Sequence, residues 1–116
     1  MLQKSPLFSY IPSIVLERAR KFYEEKVGLK PKQEINGGVV YAFGQGTACF
    51  LYVTPNAGTS KASQAFWSVA DVDREIETLK SRGVEFTQEP VDRYGTVDAG
   101  FRDPSGNGWK VIQTRR

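Results

Sequence analysis

The amino-acid sequence predicts an α+β domain built twice over from one βαβββ module. Three observations predict it. Short apolar runs with a period of two recur along the chain, bounded by Gly, Pro, Asn and Asp. Two stretches instead repeat their apolar residues at helical spacing, and each stops at a glycine. Finally, Gly28-Leu29 followed by Gln33-Glu34 recurs as Gly83-Val84 followed by Gln88-Glu89, at one constant spacing. One such half would expose a hydrophobic sheet face and a helix stripe that it cannot bury alone, so two halves must pair. A ferredoxin-like unit also repeats strands and helices, but it carries fewer strands after each helix.

At 116 residues the chain is read as one domain, 1–116, with modules at about 7–54 and 64–113 and a linker at 55–63. The first module opens with a strand, Leu7 to Ile11, in which Phe8 and Tyr10 share a face. A helix follows from about Ile14 to Val27, with Leu16, Ala19, Phe22, Tyr23 and Val27 as its stripe, Ser13 as the expected N-cap and Gly28 as the left-handed stop. Lys32 to Ile35, Val39 to Phe43 and Thr47 to Thr54 read as strands, separated by the turns Asn36-Gly37-Gly38 and Gly44-Gln45-Gly46. The second module restarts with a strand from Gln64 to Val69. Asp71 then caps a helix running to Arg82, with Val72, Ile76 and Leu79 inside and Gly83 as its stop. Val84 to Thr87 and Thr96 to Phe101 are expected strands, with a loop from Pro90 to Gly95 between them. Asp103-Pro104-Ser105-Gly106-Asn107-Gly108 is a dense turn signal, because Asp and Asn bond their own backbone and Gly takes positive φ freely. It leads into a last strand in which Lys110 and Ile112 share one face and Trp109 and Val111 the other.

Composition excludes several classes of function. The net charge of +3 is mild, and no basic run or basic stripe among aromatics argues for nucleic acid. No segment is apolar and long enough for a membrane span, and Met1 to Pro6 lacks a signal-peptide core. With one cysteine, Cys49, and no histidine, neither an internal disulfide nor a usual zinc cluster can form. A reduced, cytoplasmic setting is expected. Cys49 reads as a small core residue, since no histidine exists to activate it.

The helix Leu16-Glu17-Arg18-Ala19-Arg20-Lys21-Phe22-Tyr23 with Val27-Gly28-Leu29 resembles the first helix of the vicinal oxygen chelate superfamily. Val69-Ala70-Asp71-Val72-Asp73 resembles the entry to that family's second helix, and Asp103-Pro104-Ser105-Gly106-Asn107 the turn before its last strand. The group includes glyoxalases, extradiol dioxygenases, and the fosfomycin- and bleomycin-resistance proteins. The resemblance implies curved mixed sheets enclosing a cavity, in which metal-dependent members hold a divalent cation with His on the first strand and Glu on the last strand of each module. Those positions fall here at Phe8, Gln64, Tyr52 and Lys110. Phenylalanine has no donor atom, and a lysine would repel a cation. No metal and no other cofactor is therefore expected, a divalent metal being the exception to test. The chain also has Val15 where the family commonly has an aspartate near the first helix.

Alternation puts Phe8, Tyr10, Phe50, Tyr52, Gln64, Phe66, Lys110 and Ile112 on the inner face implied by that fold. All but Ile112 are the expected ligand-binding residues, and no catalytic residue is assigned. The aromatics stand equally as plain core or as a ligand platform. Lys110 stands either as a solvated strand residue or as an anchor for a carboxylate, phosphate or enolate. Trp67 and Trp109 are expected to point outward, where part of their surface would need a second subunit, so a homodimer is predicted. Tyr94 and Arg93 are candidates for a lid, or simple surface. The expected function is metal-free binding of a small aromatic or anionic molecule. The rivals are a metal-dependent lyase or dioxygenase, a metal-free isomerase using Lys110, and a drug-sequestering resistance protein. These residues do not decide whether a reaction is catalysed. If one is, the resemblance favours a lyase or isomerase over a dioxygenase.

Overall fold

A computed structural model describes residues 2–35, 37–93 and 95–114. Strands β1 (Phe8–Ser13), β2 (Gln33–Ile35), β3 (Gly38–Ala42) and β4 (Ala48–Val53) form one sheet in the order β1-β4-β3-β2. Strands β5 (Ser63–Ser68), β6 (Phe86–Arg93), β7 (Thr96–Arg102) and β8 (Gly108–Thr114) form a second in the matching order β5-β8-β7-β6. In each sheet the module's first strand pairs parallel with its last and the remaining pairs are antiparallel. The two βαβββ modules are thus real, with the expected order of elements.

Helix α1 (Leu16–Lys21) follows β1 and continues as one π-helical stretch, Phe22–Val27. Gly28 ends it at φ +88°, a conformation glycine adopts without a Cβ penalty. Helix α2 (Val72–Ser81) follows β5, and the Asp71 side chain accepts from the Arg74 amide at 3.1 Å. Ser13 does not cap α1. It is the buried end of β1, and its hydroxyl donates to the Tyr52 carbonyl at 3.1 Å. Val15 occupies the cap position with no side-chain bond. The loop expected over Pro90 to Gly95 is also corrected, since β6 runs through Pro90 to Arg93. It is an edge strand whose register shifts between Gln88 and Val91, and edge strands with bulges tolerate a missing N–H. Asn36 of the first hairpin turn lies outside the described residues.

One core spans both modules. α2 lays Val72, Ile76 and Leu79 on the second sheet, while α1 packs on β4 and its π-helical continuation is wedged between the two sheets. The Tyr23 ring lies 6.3 Å from Tyr41 of β3 and 6.1 Å from Trp109 of β8, and Phe22 lies 6.1 Å from Phe101 of β7. Burying each such side chain contributes about 1.5–3 kcal/mol. The loop between β4 and β5 folds back on the second module: a Cβ on Gly58 would stand 1.8 Å from the Ser105 carbonyl oxygen, so the close approach requires glycine.

The turn before β8 fastens the modules together. The Asp103 carboxylate accepts from the amides of Ser105 and Asn107, each at 2.9 Å, and from the Asn107 side chain at 2.8 Å. It also accepts from the Tyr23 hydroxyl at 2.5 Å, and Tyr23 in turn accepts from the Trp109 indole N–H at 2.8 Å. Asn107 donates onward to the Pro12 carbonyl at 2.6 Å, and the Ile14 amide donates to Ser105 Oγ at 3.1 Å. Burial first, then the neighbouring Asp103 carboxylate, push the Tyr23 phenol far above its ordinary range, so it remains a donor.

Among the described residues no helix is long and apolar enough to cross a membrane.

Candidate functional site

In the first sheet, the face turned away from α1 carries Phe8, Tyr10, Phe50 and Tyr52, which share a side of the pleat as alternation requires. Their rings form one patch. Tyr10 meets Tyr52 edge-on at 5.1 Å and Phe50 at 6.2 Å, and Phe50 and Tyr52 lie parallel at 6.0 Å. Within one chain this is an outer face: Tyr10 is 63% exposed and Phe8 52%. A concavity of about 460 Å³ opens on it, lined by Phe8, Ser9, Tyr10, Ile35, Val40 and Phe50.

The outer face of the second sheet is different. Phe66 pairs with Lys110, and Lys110 with Gly100, so Phe66, Lys110, Ile112 and Asp98 stand on one side of the pleat. Phe66 is 59% exposed. Lys110 Nζ donates to Gln88 Oε1 at 3.0 Å and to Asp98 Oδ1 at 3.2 Å. Asp98 is buried and also accepts from Gln88 Nε2 at 2.5 Å and Arg93 Nη1 at 2.7 Å. Burial raises the Asp98 carboxyl, but donation from Gln88 and Lys110 and the charges of Lys110 and Arg93 outweigh it and hold the group below its usual value. Lys110 is thus a paired cation, with Arg93 beside it. Sequence reasoning missed Asp98. The alternation of Val97, Ala99 and Phe101 could have found it, because it turns Asp98 toward the side on which Lys110 stands. Arg93 lies on β6 in this cluster, and Tyr94 lies outside the described residues.

Gln64 is drawn out of the pattern by a bulge between Ser63 and Ala65. Its side-chain amide donates to the Tyr10 carbonyl at 2.5 Å, tying β5 to β1. The expectation of outward tryptophans is overturned. Trp109 is 3% exposed, Trp67 stacks on it at 4.4 Å, and both face the core. Alternation assigns residues to two faces but does not say which face the helices cover, and α1 covers the tryptophan side. The argument for a homodimer from tryptophan surface therefore falls. Cys49 does face away from Phe50, into the core, where burial pushes its thiol up to about 12.

The four positions at which the fold family places metal ligands fit a cation poorly. Phe8 offers no donor atom, Tyr52 offers only a phenol on a ring packed against Tyr10, the Gln64 amide is committed to the Tyr10 carbonyl, and Lys110 is itself cationic. Among the described residues no three His, Cys, Asp or Glu side chains form a group that could hold a metal ion.

The crystal structure of a glyoxalase/bleomycin resistance protein/dioxygenase from Alicyclobacillus acidocaldarius superposes with a TM-score of 0.82 at 19% identity, over 96% of this chain and 92% of that one. TnmS3, an antibiotic binding protein from Streptomyces sp. CB03234, superposes with a TM-score of 0.79 at 25% identity, over 98% of both chains. The uncharacterized protein YurT of Bacillus subtilis (strain 168) is 28% identical over 113 residues, covering 84% of this chain and 89% of YurT. A family model matches residues 13–111, and the chain belongs to the Glyoxalase/Bleomycin resistance protein/Dioxygenase superfamily.

Proposed function

We propose that the protein binds a small, flat aromatic molecule on the outer face of its first sheet, without a metal, as a homodimer whose second copy closes that face. The observation that carries the reading is the open patch of three mutually touching rings, Tyr10, Phe50 and Tyr52. Aromatic surface of this kind is costly to leave in water and is placed to stack on a planar ligand, with two phenol hydroxyls as polar handles. The likeness to TnmS3, an antibiotic binding protein, supports small-molecule binding. The net charge of +3 disfavours sequestration of a cationic drug. The fit of the donor set argues against the metal-dependent lyase and dioxygenase readings. The isomerase reading loses its base, because Lys110 is engaged as a donor to Gln88 and Asp98. An anionic end on the ligand would have to compete with Asp98 for Lys110 and Arg93.

Calorimetric titration with neutral, anionic and cationic naphthalene derivatives tests the reading, with elemental analysis and light scattering on the same sample. Tyr52→Ala is expected to weaken the best ligand about tenfold through lost stacking. Unchanged affinity in that variant, or about one divalent ion per chain in the untagged protein, would overturn the reading. A monomer at high concentration would remove the closing subunit.

A further inference from the structure

A second concavity lies where the two modules meet. It opens between the starts of β1 and β4, the turn from β3 into β4, and β5, and its volume is about 790 Å³, within the range of small-molecule sites. Phe8 and Phe66 stand at its mouth on the outer side. Phe43 and Trp67 form its wall, meeting edge-on at 5.7 Å, and Trp109 lies beneath Trp67. Among the described residues, none that lines it carries a formal charge. Gln45 stands on the rim and holds φ +59°, the one described non-glycine residue with positive φ. Left-handed backbone at a residue with a Cβ costs of order 1 kcal/mol and is found at ligand sites more often than elsewhere.

We propose that this inter-module cleft is a separate binding site for an uncharged planar aromatic molecule, which stacks against Phe43 and Trp67 and meets the Gln45 carboxamide through one polar atom. An ion entering it would exchange water for apolar walls with no countercharge, which selects against both carboxylates and ammonium groups. The Gln45 amide can donate to a ring carbonyl or accept from a ring N–H or hydroxyl. The two concavities adjoin at Phe8 and Ser9, but the walls differ: Phe43, Gln45 and Trp67 line the cleft and not the concavity on the first sheet.

The chain's two tryptophans, Trp67 and Trp109, both line this cleft, so tryptophan emission reports on it. Titration with acridone as the neutral probe should quench that emission saturably. Proflavine, the cationic tricycle, and acridine-9-carboxylate, the anionic one, should bind at least about tenfold more weakly. Phe43→Ala should weaken acridone about tenfold, as read by the tryptophan quenching. Gln45→Gly removes the amide while relieving the backbone, so it keeps the test open if Phe43→Ala does not fold. It should weaken acridone about threefold to tenfold. The proposal is overturned if the three probes bind alike, or if folded Phe43→Ala or Gln45→Gly shows the wild type's quenching by acridone. It is equally overturned if light scattering shows that Phe43→Ala changes the oligomeric state, because a second copy would then occupy the cleft.

Discussion

The turn from β3 into β4 and the turn from β7 into β8 hold equivalent places in the two modules and are built in opposite ways. Among the described residues, Gly44–Gly46 is closed by local bonds: the Phe43 amide to the Thr47 carbonyl at 2.8 Å, and the Thr47 amide and hydroxyl to the Gly44 carbonyl at 3.3 and 2.9 Å. Its residues are exposed or half-exposed. The second turn buries Asp103 and Asn107 and reaches out of its own module to Tyr23, Pro12 and Ile14. One turn merely reverses the chain, while the other holds the two halves in register. The two modules thus share the path of the backbone, while the fastening lies in the second copy. The looser copy borders the inter-module cleft, where a strained Gln45 is tolerated.

The largest test of this contrast is Asp103→Ala. It would leave the Asn107 and Tyr23 donors without their buried acceptor, a loss of about 3 kcal/mol or more. Gln45→Ala should stay within about 0.5 kcal/mol of the wild type. Urea denaturation monitored by circular dichroism measures both, and similar losses would break the comparison.

The helices differ in the same sense. α2 begins on a carboxylate cap and α1 on Val15, which offers none. Asp71→Ala should cost about 1 kcal/mol, whereas Val15→Asp should gain up to about 1 kcal/mol by supplying the missing acceptor. Thermal melts of the two variants sharpen the comparison. A destabilising Val15→Asp would show that the Ile14–Ser105 bond already does the work of the cap.

The smallest effect concerns the two outer faces, aromatic on the first sheet and ion-paired on the second. Asp98 is held below its ordinary value in the folded chain. Its contribution to stability is therefore complete above the unfolded value of about 4 and is lost as pH falls through the lower folded value. Asp98→Asn should make the melting temperature less sensitive to pH below about 4, with little change in slope near neutrality. An unaltered acid limb would mean that other carboxylates dominate it.

Much of this was legible from the residues. Gly28 and Gly83, with the residues after them, announced the duplication, and the period-two runs placed Phe8 with Tyr10 and Phe50 with Tyr52. Asp71 announced its own cap. Other features depended on partners distant in sequence. Ser13 looks like a cap but ends a strand, because Tyr52 on β4 takes its hydroxyl. Pro90 looks like a breaker but lies in an edge strand, whose open side needs no donor. Gln64 looks like a pocket residue, yet the Tyr10 carbonyl takes its amide.

What the sequence by itself determined is the order of elements, the two glycine-stopped helices and the sorting of strand residues onto two faces. These follow from local rules, namely the periods of strand and helix and the conformational freedom of glycine. Only the tertiary structure decided which face is core. That choice depends on where α1 and its π-helical continuation lie, and the continuation lies between the sheets because Tyr23 is held at once by Asp103 and Trp109, residues 80 and 86 positions further along the chain. With Tyr23 there, the tryptophans must be buried and the tyrosine and phenylalanine faces must be open. Period-two alternation is symmetric between those outcomes, and long-range packing breaks the symmetry.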